Sequence, residues 1–519
     1  MAFFTRKGLS VQNGGDDQQP GFGIRLAKAG SWSILGKFAG RLIDLFTLII
    51  LTNALQPTDF GLVAQAMTVI IIVEAVTSMP IGQPLLRMKA PEGAAYDTGF
   101  TLTFLRAIGI GVIIIVLSHP LAAFFHEPRL PPLLAILALA PILRGCISPL
   151  MVEFIRSYNL RPEAMMDIFS KLASLAVVII MVWLSPSYWA IIAATVTTPA
   201  VLCLMSYALA PYRPRLSLKY WRSFADVIGW NAVIAALNAI FFQIDRVLLG
   251  RALGNADFGR YAVSRTFVDI PHQAILAPLT RPMTASFAQT ENEGRRQTLW
   301  LKCAHSMFFI VGPVLVTMAI LAEQIIFIVT GPDWKGAGVY LSGLALALLP
   351  SLPNYPLNTL AISMYRTGMA AQRVFIQFSI TIPLMIVFVQ WHGAVGAIVA
   401  RGAISIFMLF ISAFFVRRLL NLSVARQLAV HWRTAVGLAA MALVMLLFRD
   451  FVAAESSRLM AAVKGGIVFS LGGVTYLAVN LGLWRIFGMP QSLESIFVTQ
   501  CNAVMQSYRN RRASRTPQP

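Results

Sequence analysis

The chain contains a long series of apolar runs, each about the length of a helix that crosses a bilayer. Such a helix needs roughly 17–25 mostly apolar residues and satisfies its own backbone hydrogen bonds inside the hydrocarbon. Only 12% of the 519 residues are charged, against about 25% in soluble domains. We therefore predict an all-α integral membrane protein with fourteen spans, at 31–52, 60–84, 98–118, 131–152, 168–184, 188–210, 224–250, 258–280, 304–329, 337–362, 374–391, 394–416, 434–448 and 461–484.

Basic residues indicate which ends of the spans face the cytoplasm. Of the 42 Lys and Arg residues, 28 lie at or near the ends on the side of the N-terminus, 7 at the opposite ends and 7 within spans. Short cytoplasmic segments carry such an excess in membrane proteins. Both termini are thus predicted to be cytoplasmic, with a disordered tail at 1–28 and a basic tail at 488–519. We expect no cleavable signal peptide before the first span.

The chain repeats part of itself after 198 residues (252 minus 54). This shift aligns Ala54-Leu55 with Ala252-Leu253, and Asp59-Phe60-Gly61 with Asp257-Phe258-Gly259. Six spans separate the two copies, so both copies run in the same direction across the membrane, as in a parallel repeat. We predict three units: an N-lobe at 29–211 with spans one to six, a C-lobe at 222–418 with spans seven to twelve, and a final pair of spans at 430–487.

The repeated turn contains residues suited to starting and packing a helix. Asp59 and Asp257 are placed to cap the helices that follow them. Gly61 and Gly259 permit close approach between helices. Each copy then carries a pair of prolines that we expect to break its second helix near the cytoplasm. These are Pro80 and Pro84 in the first copy, and Pro278 and Pro282 in the second.

Polar residues form stripes along two neighbouring spans of the second half. One stripe has heptad spacing and the other has the spacing i, i+4 and i+7, so each lies on one helix face. The first comprises Asn231, Asn238 and Asp245, and the second comprises Arg265, Asp269 and His272. Charges in hydrocarbon are costly unless they are paired or hydrated, which favours a water-filled cavity between the helices. Buried pairs that only hold helices together are the structural alternative.

The first half carries charges of its own inside spans. Lys37, Arg41 and Asp44 follow at i, i+4 and i+7 in the first span. Glu74 lies in the second span, and the repeat shift aligns it with His272. This alignment predicts related titratable groups in the two lobes, as a central transport site would require.

Basic residues outnumber acids inside the predicted spans. The seven basic residues are Lys37, Arg41, Arg106, Arg144, Arg246, Arg265 and Arg401. The five acids are Asp44, Glu74, Asp245, Asp269 and Glu323. A net positive, hydrated cavity favours an anionic cargo, and arginine suits bidentate contacts with phosphate. Alternatively, Arg106 and Lys37 extend to the membrane interface.

Signatures of catalysis and of cofactor binding are missing from the sequence. It contains no G-x-x-x-x-G-K-[ST], H-E-x-x-H or G-x-S-x-G motif. The four cysteines lie far apart, which predicts neither a disulfide framework nor a metal site. A metal site at His119 and His126, which flank one outward loop, is disfavoured. Because the basic residues occupy short segments between spans, nucleic acid is excluded as a partner. We expect a transporter without a cofactor or catalytic residues rather than an enzyme.

Two sequence patterns carry a resemblance to a known family. The first is Gly36-Lys37-x-x-Gly40-Arg41, followed by Leu55-x-Pro57-x-Asp59-Phe60-Gly61-Leu62-Val63-Ala64. The second is Phe242-x-x-Asp245-Arg246-x-Leu248-Leu249-Gly250-Arg251-x-Leu253-Gly254, followed by Gly259-x-Tyr261-x-x-Ser264. Over spans one to about twelve, the chain resembles the Wzx-type polysaccharide transporters, a flippase branch of the multidrug/oligosaccharidyl-lipid/polysaccharide (MOP) exporter superfamily.

The resemblance implies a MATE-like fold of two V-shaped lobes with a central cationic cavity between them. It also implies alternating access, in which this cavity opens first to one side of the membrane and then to the other. It implies that an oligosaccharide linked to undecaprenyl diphosphate is flipped across the bacterial inner membrane for exopolysaccharide or lipopolysaccharide O-antigen assembly. The implied partners are this lipid-linked substrate, membrane lipids, a polysaccharide polymerase and a chain-length regulator. The residues implied to attract the diphosphate are Arg246 and Arg265, with Lys37, Arg41, Arg144 or Arg401. Those implied to balance charge or carry protons are Asp245, Asp269, His272, Glu74 and Asp44.

Two other functions are weighed against this one. A cation-coupled drug exporter of the same superfamily would need more acids than bases in its cavity, which is the opposite of the observed count. A membrane glycan polymerase or ligase would place its sites on a large outward loop. The longest predicted outward segments here are only about ten to fifteen residues, and an enzyme of that kind does not account for the internal repeat.

Overall fold

The computed structural model describes residues 22–77, 82–88, 91–157, 159–222, 224, 242–453 and 457–487. All regular elements within these ranges are helices. By length and composition, eight of the described helices can cross a membrane, and a ninth span is gained if one bent pair is counted. The predicted all-α membrane fold is therefore confirmed, while fourteen spans remains a prediction.

The first half of the described chain comprises nine helices. They are α1 (Phe22–Ala54), α2 (Pro57–Val76), α3 (Gly82–Arg87), α4 (Gly93–Phe125), α5 (Leu130–Leu137), α6 (Leu139–Gly145), α7 (Val152–Arg156), α8 (Arg161–Leu184) and α9 (Trp189–Leu209). The first of these begins at Phe22, inside the predicted disordered tail. Its opening turns contain Leu, Ala, Arg and Lys, which are good helix formers.

The second half begins with α10, which is helical over the described residues 242–252. It continues with α11 (Asn255–Pro271), a π-helical turn (His272–Leu276), α12 (Ala277–Ala288), α13 (Glu293–Ile320), α14 (Ala322–Thr330), α15 (Ala337–Leu348), α16 (Leu357–Ser363) and α17 (Thr367–Leu420). The remaining helices are α18 (Val424–Ala429), α19 (Trp432–Leu447), α20 (Arg449–Ala453) and α21 (Arg458–Ile486).

Helix α17 consists of two spans joined by a tight bend. Its 54 residues include two with non-helical backbone angles, His392 and Gly393. A straight helix of that length would be about 80 Å long, far more than the hydrocarbon thickness of about 30 Å. Gly393 has φ +56°, a conformation that favours glycine. The bend falls between the predicted spans 374–391 and 394–416.

Several predicted spans are broken in the structure, and three of these breaks lie near the residues discussed below. The segment predicted at 131–152 divides into α5 and α6, which a 55° bend between Gly145 and Pro149 separates from a 3-10 turn (Pro149–Met151) that leads into α7. The segment predicted at 304–329 is interrupted at Leu321, between the end of α13 and the start of α14. The segment predicted at 258–280 contains the π-helical turn, which starts before Pro278. Hydropathy is insensitive to such breaks because both sides of each break are apolar.

Side-chain burial shows which helix faces look outward. One large hydrophobic cluster fills the second half, with Tyr261, Trp300 and Trp334 fully buried, whereas the first half contains smaller clusters. Large apolar side chains also lie on the outside, such as Trp183 at 85% exposure. An apolar exterior around a packed interior is what a helix bundle in lipid requires.

The two copies of the repeat meet through their glycines. A Cβ placed on Gly61 would collide with the backbone carbonyl of Asn255, and one placed on Gly259 would collide with that of Pro57. These pairs are related by the 198-residue shift, since Asn255 is the counterpart of Pro57. The contact is therefore reciprocal, as a twofold relation between α2 and α11 requires. The glycines allow the two helices to pack backbone to backbone, as the sequence predicts.

The capping prediction holds for one copy and is wrong for the other. In the first copy, the Asp59 carboxylate accepts a hydrogen bond from the backbone N–H of Gln56 (3.3 Å) within a capping box. In the second copy, Gly254 is the N-cap, and Asp257 forms an ion pair with Arg260 at 2.9 Å. The basic residue one turn along the helix thus engages the carboxylate.

Gly36 and Gly40 place α1 against α8. A Cβ on Gly36 would lie 2.7 Å from the Cβ of Ala164, and one on Gly40 would lie 2.9 Å from a carboxylate oxygen of Asp167. Two small residues four positions apart let helix backbones approach closely in a membrane. These glycines of the first sequence pattern therefore have a packing role.

Candidate functional site

Asp245 is the centre of a charged cluster in the second half. Its Oδ2 atom lies 2.7 Å from Arg401 Nη2 and 3.4 Å from Arg265 Nη1, and it accepts a 2.6 Å hydrogen bond from the Tyr261 hydroxyl. The Asp245 side chain is fully buried. Three donors on three other helix positions thus converge on one carboxylate, which is the compensation that a buried charge needs.

Arg265 connects Asp245 to a second carboxylate. Its Nε atom lies 3.1 Å from Oδ1 and 3.2 Å from Oδ2 of Asp269. The Arg265 side chain is 13% exposed and that of Asp269 is 34% exposed. The spacing i, i+4 brings these two residues together on α11. Asp269 is therefore the more accessible acid of the cluster.

Arg246 adds a cation that no acid contacts directly. It forms no ion pair or hydrogen bond with any other residue in the described part of the chain. Arg246 directly follows Asp245 on α10, which places it beside the centre of the cluster. The cluster contains three guanidinium groups and two carboxylates, so it keeps one net positive charge. Below, "the arginine cluster" means Arg246, Arg265 and Arg401 with Asp245 and Asp269.

His272 begins the π-helical turn, one turn beyond Asp269. Its ring packs edge-on against Tyr355, with 5.5 Å between the ring centroids. Such turns are rare and occur frequently at functional sites. A proton-carrying role for His272 stays a prediction.

Glu74 is paired with arginine in the first half. Its two carboxylate oxygens lie 2.6 and 2.8 Å from Arg144 Nη1. Arg106 donates a 2.8 Å hydrogen bond from Nη2 to the Glu74 carbonyl. The guanidinium of Arg106 is thus held against α2, two residues before that helix ends at Val76, and its extension to the membrane interface stays a prediction.

Asp44 binds Lys171, which was not among the predicted site residues. Lys171 Nζ lies 2.7 Å from Asp44 Oδ2, and Arg41 Nη1 lies 3.5 Å from the same oxygen. Lys37 is exposed on the same helix. The spacing on α1 predicts the Arg41 contact, but nothing in the local sequence identifies Lys171, which comes from α8.

The predicted site residues thus form three groups rather than one. No hydrogen bond or ion pair between described residues connects the arginine cluster, the Glu74–Arg144 pair and the Asp44–Lys171 pair. Two members of the predicted stripe, Asn231 and Asn238, lie outside the described residues. Glu323, predicted to lie within a span, is exposed in the first turn of α14 because α13 has already ended. Tyr261 was not predicted; its place four residues before Arg265 is the signal that could have identified it.

The two halves contact each other at one end of the molecule, formed by the turns 53–59, 251–257 and 330–336. We refer to it as the outer end, since these turns are predicted to face outward. The main contacts between the halves pair α2 with α11 and α1 with α14. Trp334 donates from Nε1 to the Thr52 carbonyl at 2.7 Å, and the Asn53 amide donates to the Val329 carbonyl at 2.8 Å.

A polar network closes the outer end beside these contacts. Asn255 donates to Glu127 at 2.5 Å, and its oxygen accepts a 3.1 Å hydrogen bond from Gln65. Gln65 also donates to the Gly250 carbonyl at 2.8 Å. Glu127 in turn binds Arg129 through both carboxylate oxygens, at 2.8 and 3.0 Å. Below, "the outer latch" means Gln65, Glu127 and Asn255.

Sequence comparison identifies the group of proteins to which the chain is related. Residues 50–338, more than half of the chain, match the family model described as "Polysaccharide biosynthesis protein". The chain belongs to this family. The predicted recognition of a polysaccharide transporter family of the MOP superfamily is therefore confirmed.

Individual members of the family are distant in sequence. The chain is 26% identical over 320 residues to the succinoglycan biosynthesis transport protein ExoT of Rhizobium meliloti (strain 1021). That match covers 61% of this chain and 65% of ExoT, slightly less than two thirds of the relative. The chain is also 20% identical over 335 residues to the teichuronic acid biosynthesis protein TuaB of Bacillus subtilis (strain 168), covering 63% of this chain and 69% of TuaB.

Solved structures show that the fold is that of the MOP superfamily. The lipid II flippase MurJ in an inward closed conformation superposes on this chain with a TM-score of 0.59 at 15% identity. The match covers 89% of this chain and 99% of MurJ. An inward-facing multidrug resistance MATE transporter superposes with a TM-score of 0.54 at 14% identity, covering 76% and 96% of the two chains. At these identities the comparison establishes the fold alone.

Proposed function

We propose that this chain flips an oligosaccharide linked to a polyprenyl diphosphate from the cytoplasmic to the periplasmic leaflet of the bacterial inner membrane, for exopolysaccharide or O-antigen assembly. Undecaprenyl diphosphate is the carrier that the family resemblance implies. Relatives that act in succinoglycan and teichuronic acid biosynthesis support a polysaccharide precursor as cargo.

The arginine cluster is the observation that carries this proposal. A charge inside a membrane protein is expensive, and a cluster that contains one uncompensated positive charge is suited to receive an anion. Arg246 is the arginine of the cluster that has no acidic partner among the described residues, because Asp245 and Asp269 already engage Arg265 and Arg401. A diphosphate offers the oxygens that a guanidinium binds in bidentate fashion.

The position of the inter-half contacts supports loading from the cytoplasm. In the described chain the strongest contacts between the halves lie at the outer end, where the outer latch and the two glycines pack them together. A cargo bound to the arginine cluster would then arrive from the opposite end. Release outward requires the outer latch to open, which is the second state of an alternating-access cycle.

Export by an Arg246→Ala variant tests the proposal. We expect normal insertion and expression, loss of extracellular polymer, and accumulation of the lipid-linked precursor in the cytoplasmic leaflet. The matched control is Arg417→Ala, an exposed arginine near the end of α17 that is predicted to face the cytoplasm. The measurement combines polymer yield with leaflet-specific labelling of the precursor.

Two outcomes would contradict the proposal. Normal export by Arg246→Ala at equal expression would remove its main support. Proton- or sodium-coupled export of small cations by the wild-type protein would instead favour a drug exporter, which shares the fold. The cavity charge separates the two functions, because a cation exporter needs an acidic site and this cluster is net positive.

A further inference from the structure

A pocket of about 390 Å³ opens at the outer end, beside the contacts that hold the halves together. It lies between α14, the turn 331–336, the start of α15, and the outer parts of α20 and α21. This volume is within the range of small-molecule sites, about 300–1,000 Å³. The arginine cluster does not line it. Below, "the outer pocket" means this cavity.

The outer pocket contains an unused buried acceptor. Gln324 lines it from the first turn of α14 and is only 7% exposed, and its Oε1 atom has no hydrogen-bond partner among the described residues. A buried polar atom without a partner is rare in folded proteins, because leaving it unpaired costs free energy. The Gln324 side chain lines the open cavity, so a rotation of its amide would bring Oε1 to a donor from a ligand.

The charged residues of the outer pocket balance each other. Glu323 and Lys335 line its mouth, are both exposed, and form no ion pair with each other or with another described residue. One carboxylate and one ammonium group give the lining no net charge. The site therefore presents acceptors and a donor without selecting an anion such as diphosphate.

The remaining wall of the outer pocket is apolar. Phe327, Ile326 and Pro332 line it together with Trp334. Sugars combine apolar C–H faces with hydroxyl groups that both donate and accept hydrogen bonds. A mostly apolar pocket with a few convergent polar groups matches that combination, and its volume suits a short saccharide rather than a long chain.

Trp334 links the outer pocket to the closure of the outer end. Its Nε1 atom donates to the Thr52 carbonyl of the first half at 2.7 Å, and its ring lies edge-on to Phe60 with centroids 4.9 Å apart. A ligand that fills the pocket therefore rests against a residue of the inter-half contact. This arrangement places sugar binding next to the movement that outward release requires.

We propose that the outer pocket binds neutral sugar residues of the transported oligosaccharide on the periplasmic side, with Gln324, Glu323 and Lys335 contacting hydroxyl groups. This inference rests on the proposed function and adds a second subsite to it. The arginine cluster holds the diphosphate, and the outer pocket holds part of the glycan as it leaves.

Direct binding to the purified full-length protein tests this inference. The probe is the free oligosaccharide released by mild acid from the lipid-linked precursor of the host, titrated against intrinsic tryptophan fluorescence. We expect saturable binding by the wild type. Gln324→Leu and Glu323→Gln should each weaken it by about tenfold, because each removes a hydrogen-bond acceptor from the site.

Controls separate loss of binding from loss of folding. Glu291→Gln makes the same chemical change as Glu323→Gln at an exposed site on the predicted cytoplasmic side, and it should bind like the wild type. Thermal unfolding in detergent is measured for each variant. Glu323→Gln remains informative if Gln324→Leu does not fold, because Glu323 is exposed.

The outcomes of this test differ from those of the Arg246→Ala test. No saturable binding by the wild type, or unchanged binding by both pocket variants, would overturn the sugar site and leave the flippase proposal standing. Normal export by Arg246→Ala together with pocket-dependent binding would overturn the diphosphate role and leave the sugar site. Binding that survives in Arg246→Ala but is lost in the pocket variants would support two separate subsites.

Discussion

At the scale of single residues, the two acids of the arginine cluster have different environments. Asp245 is fully buried and is approached by Arg401, Arg265 and Tyr261. Asp269 is one third exposed and contacts Arg265 alone within the described chain. Removing the first leaves two partly buried guanidinium groups, those of Arg265 and Arg401, without their shared partner, whereas removing the second leaves Arg265 with Asp245.

The order of stabilities follows from this difference. We expect Asp245→Asn to destabilise the protein by about 3–5 kcal/mol, the usual consequence of breaking a buried ion pair. Asp269→Asn should cost about 1 kcal/mol or less, because its partner keeps another carboxylate and water screens the site. Thermal unfolding in detergent measures the order. Adding Arg401→Gln to Asp245→Asn should recover stability without recovering transport, and a larger loss for Asp269→Asn would contradict this assignment.

The sequence predicted these residues unequally. Arg265 and Asp269 lie one turn apart on a single helix, so their contact follows from helical geometry. The contacts of Asp245 with Arg401 and of Asp44 with Lys171 join residues more than one hundred positions apart. They depend on how helices pack, which periodicity does not reveal. The sequence therefore indicated the charges that matter and only some of the pairs they form.

At the scale of helices, the outer latch joins the turn after α4 to the start of α11. The hydrogen bond from Arg129 lowers the pKa of Glu127 below its ordinary value of 4.5, and the hydrogen bond from Asn255 acts in the same direction although burial opposes both. Arg129 lies two residues from Glu127 in the same turn, so its effect on this pKa does not depend on the contact between the halves. The hydrogen bond from Asn255 does depend on that contact, and through it the ionised form of Glu127 stabilises the closed latch. That contribution is complete above about pH 4.5 and declines as the pH falls further.

The pH dependence of the outer end can be measured with spin labels. Labels at His126 and Asp333, both exposed at the outer end, report the distance between the halves. We expect the distance to stay constant from about pH 7 to about pH 5 and to lengthen only below the ordinary pKa of a glutamate. Glu127→Gln should lengthen it already at neutral pH, whereas Glu92→Gln, on a predicted cytoplasmic loop, should not. A distance that changes between pH 7 and pH 6 would show that another group controls the latch.

Helix boundaries show where sequence patterns are informative and where they are not. Apolar runs correctly predicted α2, α4, α8, α9 and α21 as helices long and apolar enough to cross a membrane. They missed the end of α13 at Leu321, because the residues on both sides are apolar and no proline or glycine marks the break. That missed break places Glu323 and Gln324 in the first turn of a separate helix, α14, where they line the outer pocket.

At the scale of the whole molecule, both copies of the repeat present their first turn at the outer end. The reciprocal contact of Gly61 and Gly259 requires that the two turns share one side of the membrane. The excess of basic residues predicts that this side is the periplasm. The predicted topology therefore combines two arguments: the repeat predicts that both turns lie on one side, and the charge distribution predicts which side that is.

Labelling of single cysteines tests this topology in a protein from which the four native cysteines have been removed. Cysteines at the exposed positions Gln56 and Gly254 should react with a reagent that does not cross the membrane. Cysteines at Pro214 and Asn292 should react only after the cells are permeabilised. Labelling of positions 56 and 254 from opposite sides would contradict the parallel repeat.

The reciprocal glycine contact also explains why some parts of the repeat have stayed alike while others have diverged. The charges of the arginine cluster have no counterparts at the equivalent positions of the first half, where Thr47, Leu48, Met67, Ile71 and Cys203 occur. Gly61 and Gly259 each touch the backbone of the other copy. A side chain at either position would push the two helices apart, so neither glycine can be replaced without disturbing the contact that both copies make. The two halves could therefore acquire different charged residues only at positions where the two copies do not contact each other.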